Sequence, residues 1–319
     1  MTRILLIGAT GYIGTAVASE LLRSGLHTVY GLARTPEKAA QLVAKEIIPV
    51  IGSVTDSAAY VSLIKSARIH IVVDCAGAND GSFQVLKDLK QIGIERQKEG
   101  GAKLGFVYCS GTWVHGSSFE RVSDLDPVGT ADAKNPPAKM VAWRPQLERD
   151  IVASKDVLNV AIIRPGLVYG RESPIWGAFL GPIFAATQEG TRRESVQLPL
   201  DPLARPGLIH VDDVASGFRC AIEKLELVSG TGVYPVFSIV SSSEPMSLII
   251  QSAADIIGFK GEIRLAEEKD NPFSEAMSVS NNDNSSRAKQ LLGWEPRRIG
   301  IVGSMDIYVK AWLASQATA

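Results

Sequence analysis

The chain has 319 residues, of which 45% are hydrophobic and 21% charged, and its formal net charge is −1. This length suits one large domain, or a domain with a smaller lobe, and the composition is that of an ordinary globular protein. The nearly balanced charge argues against electrostatic binding to nucleic acid or to an anionic membrane. No stretch approaches the roughly 20 apolar residues that a membrane span needs.

The first half of the chain alternates strand-like and helix-like segments. Short apolar runs predict strands at residues 4–7, 28–32, 47–51, 69–73, 104–108 and 160–163. Helices are predicted from Ile13 to about Ser24, after an N-cap at Thr35, after Asp56, and within residues 81–98 and 139–155. This repeated βα pattern predicts an α/β fold, a Rossmann-type doubly wound parallel sheet of six or seven strands.

The pattern changes after Pro165. Residues 171–206 are rich in Gly, Pro and Trp and predict an irregular lobe. Further along we expect a strand at 208–211, a helix capped by Asp212 or Asp213, a strand at 236–240, a loop at 278–286 and a final helix at 307–313. We therefore predict a dinucleotide-binding domain at 1–164, with a contribution from 207–240, and a substrate lobe formed by 165–206 and 241–319.

The three cysteines, Cys75, Cys109 and Cys220, are far apart in the sequence. They show neither metal-ligand spacing nor a disulfide framework, so we predict packed, unreactive thiols, no metal site and a reducing compartment. The apolar run at residues 4–7 is too short for a secretory signal, which makes a cytoplasmic location the expectation.

A glycine-rich segment, GATGYIG at residues 8–14, directly follows the first predicted strand and opens the first predicted helix. In this context Gly8 permits a tight turn, Gly11 lets a pyrophosphate approach the backbone, and Gly14 lets the helix pack on the strand. We therefore predict that the segment binds a dinucleotide, with contacts that also involve Thr10, Tyr12 and Ile13. The alternative is a glycine-rich turn without a ligand.

The residue after the second predicted strand bears on the choice of cofactor. Many NAD-binding folds place an acid there to bind the ribose hydroxyls, whereas this chain has Arg34, with Lys38 one helical turn further on. An arginine can bind a 2′-phosphate through two charge-assisted hydrogen bonds, which predicts NADP(H). A solvated surface arginine, and NAD(H) as cofactor, is the alternative.

Six motifs follow one another in a characteristic order: GATGYIG at 8–14, GSVTD at 52–56, VYCSGTWVHG at 107–116, IRPGLVYG at 163–170, IHVDDVA at 209–215, and SRA with LLGWEP at 286–296. Together they resemble the extended short-chain dehydrogenase/reductase family, the NAD(P)-dependent epimerase/dehydratase group, nearly from end to end. The resemblance implies that the dinucleotide site also includes Ser53, Val54, Ala76, Gly77, Arg144, Pro165 and Val168.

The catalytic set of that family is missing. The family uses a Ser or Thr, together with a Tyr-x-x-x-Lys pair whose Tyr exchanges a proton with the substrate oxygen. Counting back from Val114 puts Gly111 at the Ser/Thr position, and alignment on Glu148 puts Met140 and Arg144 at the Tyr and Lys positions. Met140 cannot act as an acid or base, and Arg144 holds its proton too tightly to exchange it. We expect both side chains to face the cofactor site.

Two residues could replace the missing groups. The hydroxyl of Thr112 could polarise a carbonyl, or it could form a local turn bond. His115 could exchange protons near neutral pH, or it could be structural. Arg144 remains as a ribose-binding and electrostatic group.

The remaining candidates concern the pocket and its substrate. Trp113, Trp143 and Trp176 could form a pocket mouth or simply pack, and Tyr169 and His210 are expected to pack. Arg205, where sugar-nucleotide members often hold a basic group, is isolated among apolar residues, which favours a less polar substrate.

Three functions agree with these observations. The first is an atypical NADP(H)-dependent reductase of a small carbonyl or imine compound, a small-molecule enzyme that could form a homodimer. The second is a non-redox isomerase or cyclase that uses the same pocket. The third is a non-enzymatic NADP(H)-binding regulatory protein.

Overall fold

The computed structural model of the chain describes residues 1–230 and 232–317. Its strands are β1 (Thr2–Ile7), β2 (His27–Ala33), β3 (Ile48–Ile51), β4 (Ile71–Asp74), β5 (Leu104–Cys109), β6 (Arg121–Ser123), β7 (Leu158–Pro165), β8 (Leu167–Tyr169), β9 (Ser195–Leu198), β10 (Gly207–His210), β11 (Val236–Ile239), β12 (Ser242–Ser243), β13 (Glu262–Leu265) and β14 (Asn282–Asn284). Its α-helices are α1 (Tyr12–Arg23), α2 (Pro36–Val43), α3 (Ser57–Ser66), α4 (Asn79–Lys98), α5 (Arg144–Val152), α6 (Pro174–Ala185), α7 (Val211–Glu223), α8 (Leu225–Gly230), α9 (Met246–Ile257), α10 (Pro272–Met277) and α11 (Met305–Ala317).

Seven parallel strands form the central sheet, in the order β11-β7-β5-β4-β1-β2-β3. The strand order reverses direction between β1 and β4, so the connections on either side of this point leave the sheet on opposite faces. Such a switch point opens a crevice at the carboxyl ends of the strands. The predicted doubly wound parallel sheet is confirmed, and the crevice is where the functional site should be sought.

Side chains alternate between the two faces of this sheet, and each face is covered by helices. On β1, Leu6 joins a core with residues of α1 and α7, whereas Leu5 joins a core with residues of α3, α4 and α5. All six residues of β5 are buried. Burial on both faces explains why these strands read as continuous apolar runs rather than as alternating ones.

The structure corrects the description of residues 171–206 as irregular. This segment contains α6 and β9, and β9 pairs with β13. Helix α6 was not predicted because its own residues are apolar on most faces, so the 3.6-residue alternation of apolar and polar residues is weak. Together with α9 and α11 it encloses a separate apolar core that includes Phe179 and Trp312.

Three further corrections concern the ends of elements. The N-cap of α7 is His210, whose Nδ1 accepts a hydrogen bond from the backbone N of Asp212 at 3.1 Å, rather than either predicted aspartate. The predicted helix at 139–155 is split into a 3₁₀ turn, Lys139–Val141, and α5. The predicted loop at 278–286 contains β14, which pairs with β6.

Strands β10 and β11 fall in different sheets. The first pairs with β8 and β12 in a three-stranded sheet, whereas the second joins the central sheet beside β7. Among the described residues no helix is long and apolar enough to cross a membrane.

Candidate functional site

The glycine-rich turn between β1 and α1 requires glycine for steric reasons at two of its three positions. Gly8 has a φ of +82°, and a Cβ atom there would lie 2.8 Å from the carbonyl carbon of Cys75. A Cβ atom on Gly14 would lie 2.0 Å from the carbonyl oxygen of Gly8. A Cβ atom on Gly11 would lie 3.2 Å from its nearest neighbour, the carbonyl oxygen of Gly8. The missing side chain at Gly11 therefore leaves space at the start of α1, rather than allowing two backbone segments to pack closely.

The start of α1 fits a bound pyrophosphate. Gly11 is its N-cap, no side chain caps the helix, and its first turn carries no acidic residue. The first N–H groups and the positive end of the helix dipole are therefore free to bind an anion. Thr10 and Ile13 belong to this turn, and Tyr12 anchors it by donating a hydrogen bond from its hydroxyl to the carbonyl of Gly170 at 2.7 Å.

At the predicted adenosine end, Arg34 directly follows β2 and is exposed, with no ion-pair partner among the described residues. Lys38 lies in the first turn of α2 and donates from Nζ to Oε1 of Gln41 at 3.2 Å. Thr35 caps this helix, as predicted. Arg34 is therefore free to bind an anion, and Lys38 stands nearby as a second positive charge.

The adenine-side turn after β3 is held by local contacts. The hydroxyls of Ser53 and Thr55 lie 3.0 Å apart, so Ser53 forms a hydrogen bond with Thr55 within the turn. A Cβ atom on Gly81 would lie 2.6 Å from Cγ2 of Val54, which brings the turn against the start of α4. The two predicted residues thus lie on the same side of the crevice as Gly77.

Asp74, at the end of β4, shapes the turn that contains Ala76 and Gly77. Its carboxylate is buried and accepts hydrogen bonds from Oγ of Ser82 at 2.7 Å and from the backbone N of Ala76 at 2.9 Å. Burial raises the pKa of this carboxyl group above its ordinary value. Asp74 was not predicted from the sequence, since a single acidic residue at the end of an apolar run forms no helix or strand pattern that would mark it.

A cleft of about 240 Å³ opens beside the glycine-rich turn. Its apolar wall is formed by Ile13, Trp113, Val141, Pro165, Leu167, Val168, Pro174 and Ile175. Its polar groups come from Tyr12, Ser110, Thr112, Arg144 and Ser173. No carboxylate, lysine or histidine of the described residues lines this cleft, so it suits a compact and largely apolar ligand.

Two hydroxyl-bearing residues lie on either side of Gly111 in the cleft. Thr112 begins the short 3₁₀ turn Thr112–His115 and is 2% exposed. The Oγ atom of Ser110 is buried and has no hydrogen-bond partner among the residues that the structure describes. Ser110 was not predicted, because the family alignment places the hydroxyl at Gly111 and the prediction extended only to the next residue, Thr112.

Arg144 lines the cleft, as the alignment on Glu148 predicts, but Met140 does not. Nη1 of Arg144 donates to the carbonyl of Cys109 at 3.3 Å, and its guanidinium carbon lies 5.2 Å from the ring centroid of Trp143. Met140 is 45% exposed in its 3₁₀ turn, and the next residue, Val141, faces the cleft in its place. The break between that turn and α5 explains the difference, because helical spacing does not continue across it.

His115 lies behind the cleft rather than in its wall. It is buried, and its Nε2 accepts a hydrogen bond from Nη1 of Arg164 at 3.0 Å, while Arg164 pairs with Glu148. Burial, and then the charge of Arg164, lower the pKa of His115 to about 3. The ring is therefore neutral at physiological pH and too weakly basic to take up a proton there.

The other aromatic and basic candidates mostly serve packing. Tyr169 and His210 form an edge-on pair with ring centroids 5.3 Å apart. Trp176 is buried and donates from Nε1 to the carbonyl of Val168 at 3.0 Å, so Trp113 alone of the three predicted tryptophans lines the cleft. Arg205 donates to the carbonyl of Ser243 at 3.1 Å and does not line it.

Comparison with known proteins identifies the family of this chain. The model of the NAD dependent epimerase/dehydratase family matches residues 4–236. A curated relative, the UDP-glucose 4-epimerase of Bacillus subtilis (strain 168), is 24% identical over 92% of this chain and 92% of its own length.

Several solved structures share the fold. A dTDP-glucose 4,6-dehydratase from Bacillus anthracis str. Ames in complex with NAD has a TM-score of 0.74 and 17% identity, covering 100% of this chain and 98% of its own. A UDP-glucose 4-epimerase from Bifidobacterium longum in complex with NAD+ and UDP has a TM-score of 0.74 and 17% identity, with 99% of each chain covered. A functionally unknown conserved protein from Silicibacter pomeroyi has a TM-score of 0.69 and 17% identity, also with 99% of each chain covered.

Proposed function

Because this chain belongs to the NAD dependent epimerase/dehydratase family and is an enzyme of that family, we propose that it reduces a small, largely apolar carbonyl or imine compound with NADPH. The observation that carries this proposal is the wall of the cleft, in which hydroxyls and one guanidinium stand among apolar side chains. A sugar diphosphate would need further basic groups, and Arg205 lies elsewhere.

The dinucleotide would be held by the residues of the glycine-rich turn, with Arg34 and Lys38 on its 2′-phosphate. An exposed arginine with no partner among the described residues, followed by a lysine, favours a phosphate over a bare ribose hydroxyl. This is why we propose NADP(H) rather than NAD(H), although two of the related structures named above contain NAD.

The cofactor, when bound, supplies the hydride. Thr112 then donates a hydrogen bond to the substrate oxygen and passes its proton as the alkoxide forms, regaining a proton from water. Arg144 contributes a fixed positive charge that stabilises the developing negative charge. A protonated imine needs no further proton, so Thr112 would only orient it. His115 supports the cleft from behind through Arg164.

Thr112→Val tests this proposal, since valine keeps the shape and removes the hydroxyl. We expect kcat/KM for NADPH-dependent reduction of a panel of small ketones, aldehydes and imines to fall by roughly ten- to a hundredfold, with NADPH affinity unchanged. Thr112→Ser, which keeps the hydroxyl, should retain most of the activity. Full activity in Thr112→Val would contradict the assignment.

A second candidate, an isomerase without net redox change, is favoured by the name of the curated relative, UDP-glucose 4-epimerase. The same panel, extended to nucleotide sugars, separates the two. Isomerisation converts substrate while the absorbance of the nicotinamide stays constant, whereas reduction consumes NADPH in a one-to-one ratio with product. Homodimer formation stays a prediction that sedimentation would test.

A further inference from the structure

Cys75 and Cys109, far apart in the sequence, stand opposite each other at the ends of neighbouring strands. In the register of β4 and β5, Asp74 is the partner of Tyr108, so the next pair is Cys75 and Cys109. Both side chains lie on the same face of the sheet, where Cys109 belongs to a core against which Cys75 packs. The Cys109 thiol is close enough to raise the pKa of Cys75.

The spacing of neighbouring strands is compatible with a disulfide between these two positions. Residues opposite each other in adjacent strands are separated by about 4.8 Å between Cα atoms, and disulfides span roughly 4.4–6.8 Å. The third cysteine, Cys220, lies on α7 and is not part of the pair. We predicted packed, unreactive thiols from cysteines that are far apart in the sequence, but distance along the chain says nothing about neighbours within a sheet.

The pair is open to small molecules from one side. Cys75 is only partly buried, and Ala76 and Gly77, which follow it, are exposed in the crevice. Cys109 is 6% exposed and lies behind it. A small oxidant that enters the crevice therefore meets Cys75 first, with Cys109 already in position to react next.

We propose that Cys75 and Cys109 form a redox-sensitive dithiol, which a hydroperoxide oxidises to a disulfide, and that this disulfide weakens dinucleotide binding. The second half of this inference rests on the proposed function, because it needs the dinucleotide to bind at the adjacent turn. The first half concerns the two thiols alone.

The chemistry balances with hydrogen peroxide as the only co-reactant. The thiolate of Cys75 attacks one peroxide oxygen, an S–O bond forms, and the O–O bond breaks to release hydroxide, which takes up the thiol proton as water. Cys109 then attacks the sulfur of Cys75, forming the S–S bond and displacing the second oxygen as water. The two sulfurs are oxidised and the peroxide is reduced.

The protonation of Cys75 sets the speed of the first step. The neighbouring thiol of Cys109, and then burial, raise the pKa of Cys75 above its ordinary value. Because the thiolate is the nucleophile, oxidation should be slow at neutral pH and should speed up as the pH rises. The second step is fast by comparison, since the two cysteines already stand side by side on neighbouring strands.

The disulfide should disturb the binding turn because both cysteines support it. The backbone of Cys75 lies against Gly8, and the carbonyl of Cys109 accepts a hydrogen bond from Arg144. An S–S bond of about 2.05 Å is much shorter than the separation of two unbonded sulfur atoms, so the two strand ends must move together. This movement shifts the Cys75 backbone, which lies against Gly8, and the Cys109 carbonyl, which binds Arg144.

The experiment uses the full chain with Cys220→Ser, which leaves only the pair. After treatment with hydrogen peroxide, we expect mass spectrometry to find linked peptides that contain Cys75 and Cys109. We expect calorimetry to show NADP⁺ affinity lowered on the order of tenfold. Dithiothreitol should restore both. Adding Cys109→Ser to this background is the matched control, in which no internal disulfide can form and affinity should not fall in this reversible way.

Each part can be overturned separately. If both thiols of the pair remain free to alkylation under conditions that oxidise Cys220 of the unmodified chain, the dithiol is refuted. If the linked peptides form while NADP⁺ affinity stays the same, the effect on binding is refuted. If the reduced protein binds neither NADP⁺ nor NAD⁺, the proposed function fails, and the linked peptides alone decide the dithiol.

Discussion

The glycine-rich turn and the cleft beside it lie at the same edge of the sheet, but they depart from the family pattern to very different degrees. The turn keeps all three glycines, two of them enforced by backbone packing within 3 Å. The cleft has lost the Ser/Thr, Tyr and Lys positions, which read Gly111, Met140 and Arg144. The glycines of the turn are needed for backbone packing and for phosphate binding. The lost side chains are needed only for the catalytic chemistry of the family.

The largest effect should come from breaking the turn at its least crowded glycine. Gly11→Val should reduce dinucleotide affinity by about a thousandfold or more, because a branched side chain occupies the space at the helix end, while its Cβ, 3.2 Å from the carbonyl oxygen of Gly8, requires only a small shift of the backbone. Calorimetry gives the affinity and thermal unfolding checks the fold. Gly181→Ala, where nothing lies within 4 Å, is the neutral control.

Unchanged affinity in a folded Gly11→Val protein would place the dinucleotide elsewhere. Gly14→Val should behave differently, since its Cβ would overlap the carbonyl of Gly8 and the protein should fail to fold. A folded Gly14→Val protein would contradict the packing argument for the turn.

His115→Gln sharpens the view of the cleft. The folded protein holds the His115 pKa at about 3, below the unfolded value near 6.5, so the unfolded state gains a proton first as the pH falls. The wild type should thus be most stable above pH ~6.5 and lose stability between pH ~6.5 and ~3, on the order of 4 kcal/mol in all.

Urea unfolding of both proteins at pH 7 and at pH 4.5 checks this prediction. Glutamine can still accept a hydrogen bond from Arg164, so the variant should lose less stability than the wild type on acidification. Equal losses would contradict the buried, neutral state. Near neutral pH, the pH profiles of activity of the wild type and of His115→Gln should have the same shape. A catalytic His115, which the sequence alone would allow, would instead give an inflection that the variant abolishes.

Arg34→Ala tests the other end of the dinucleotide. We expect it to lose about 1.5–3 kcal/mol of NADP(H) binding, roughly ten- to a hundredfold, while NAD(H) binding changes little. Lys38→Ala should have the same sign and a smaller effect, because its Nζ already donates to Gln41. Calorimetry with both cofactors measures the preference, and equal affinities for NADP⁺ and NAD⁺ in the wild type would refute it.

The smallest effect concerns Ser110, whose buried Oγ has no partner. Ser110→Ala should leave the protein as stable as before, or more stable by about 1 kcal/mol, because it removes an unsatisfied buried group. The same change should lower kcat/KM several-fold if the hydroxyl assists Thr112. Loss of stability without loss of activity would show that the hydroxyl is structural.

The sequence predicts the binding half of the site well and the reacting half less well, for physical reasons. The glycine-rich turn and the cap at Thr35 are local features, and the structure has both. Arg144 was placed in the cleft because α5 runs without interruption from it to Glu148. Met140 was misplaced because a 3₁₀ turn interrupts the helical spacing before α5.

Other features depend on contacts between distant segments. The neutral state of His115 depends on its burial beside Arg164, which comes from another strand. The juxtaposition of Cys75 and Cys109 depends on the register of two strands. Neither burial nor register can be read from a single run of residues.

The most direct test of the central claim is a crystal structure with NADP⁺ and a substrate analogue. The account predicts that the hydroxyls of Thr112 and Ser110, with the guanidinium of Arg144, surround the reacting oxygen and that Met140 stays outside. A tyrosine within hydrogen-bond reach of that oxygen, such as Tyr169 released from the carbonyl of Arg298 that it now binds at 3.1 Å, would contradict it.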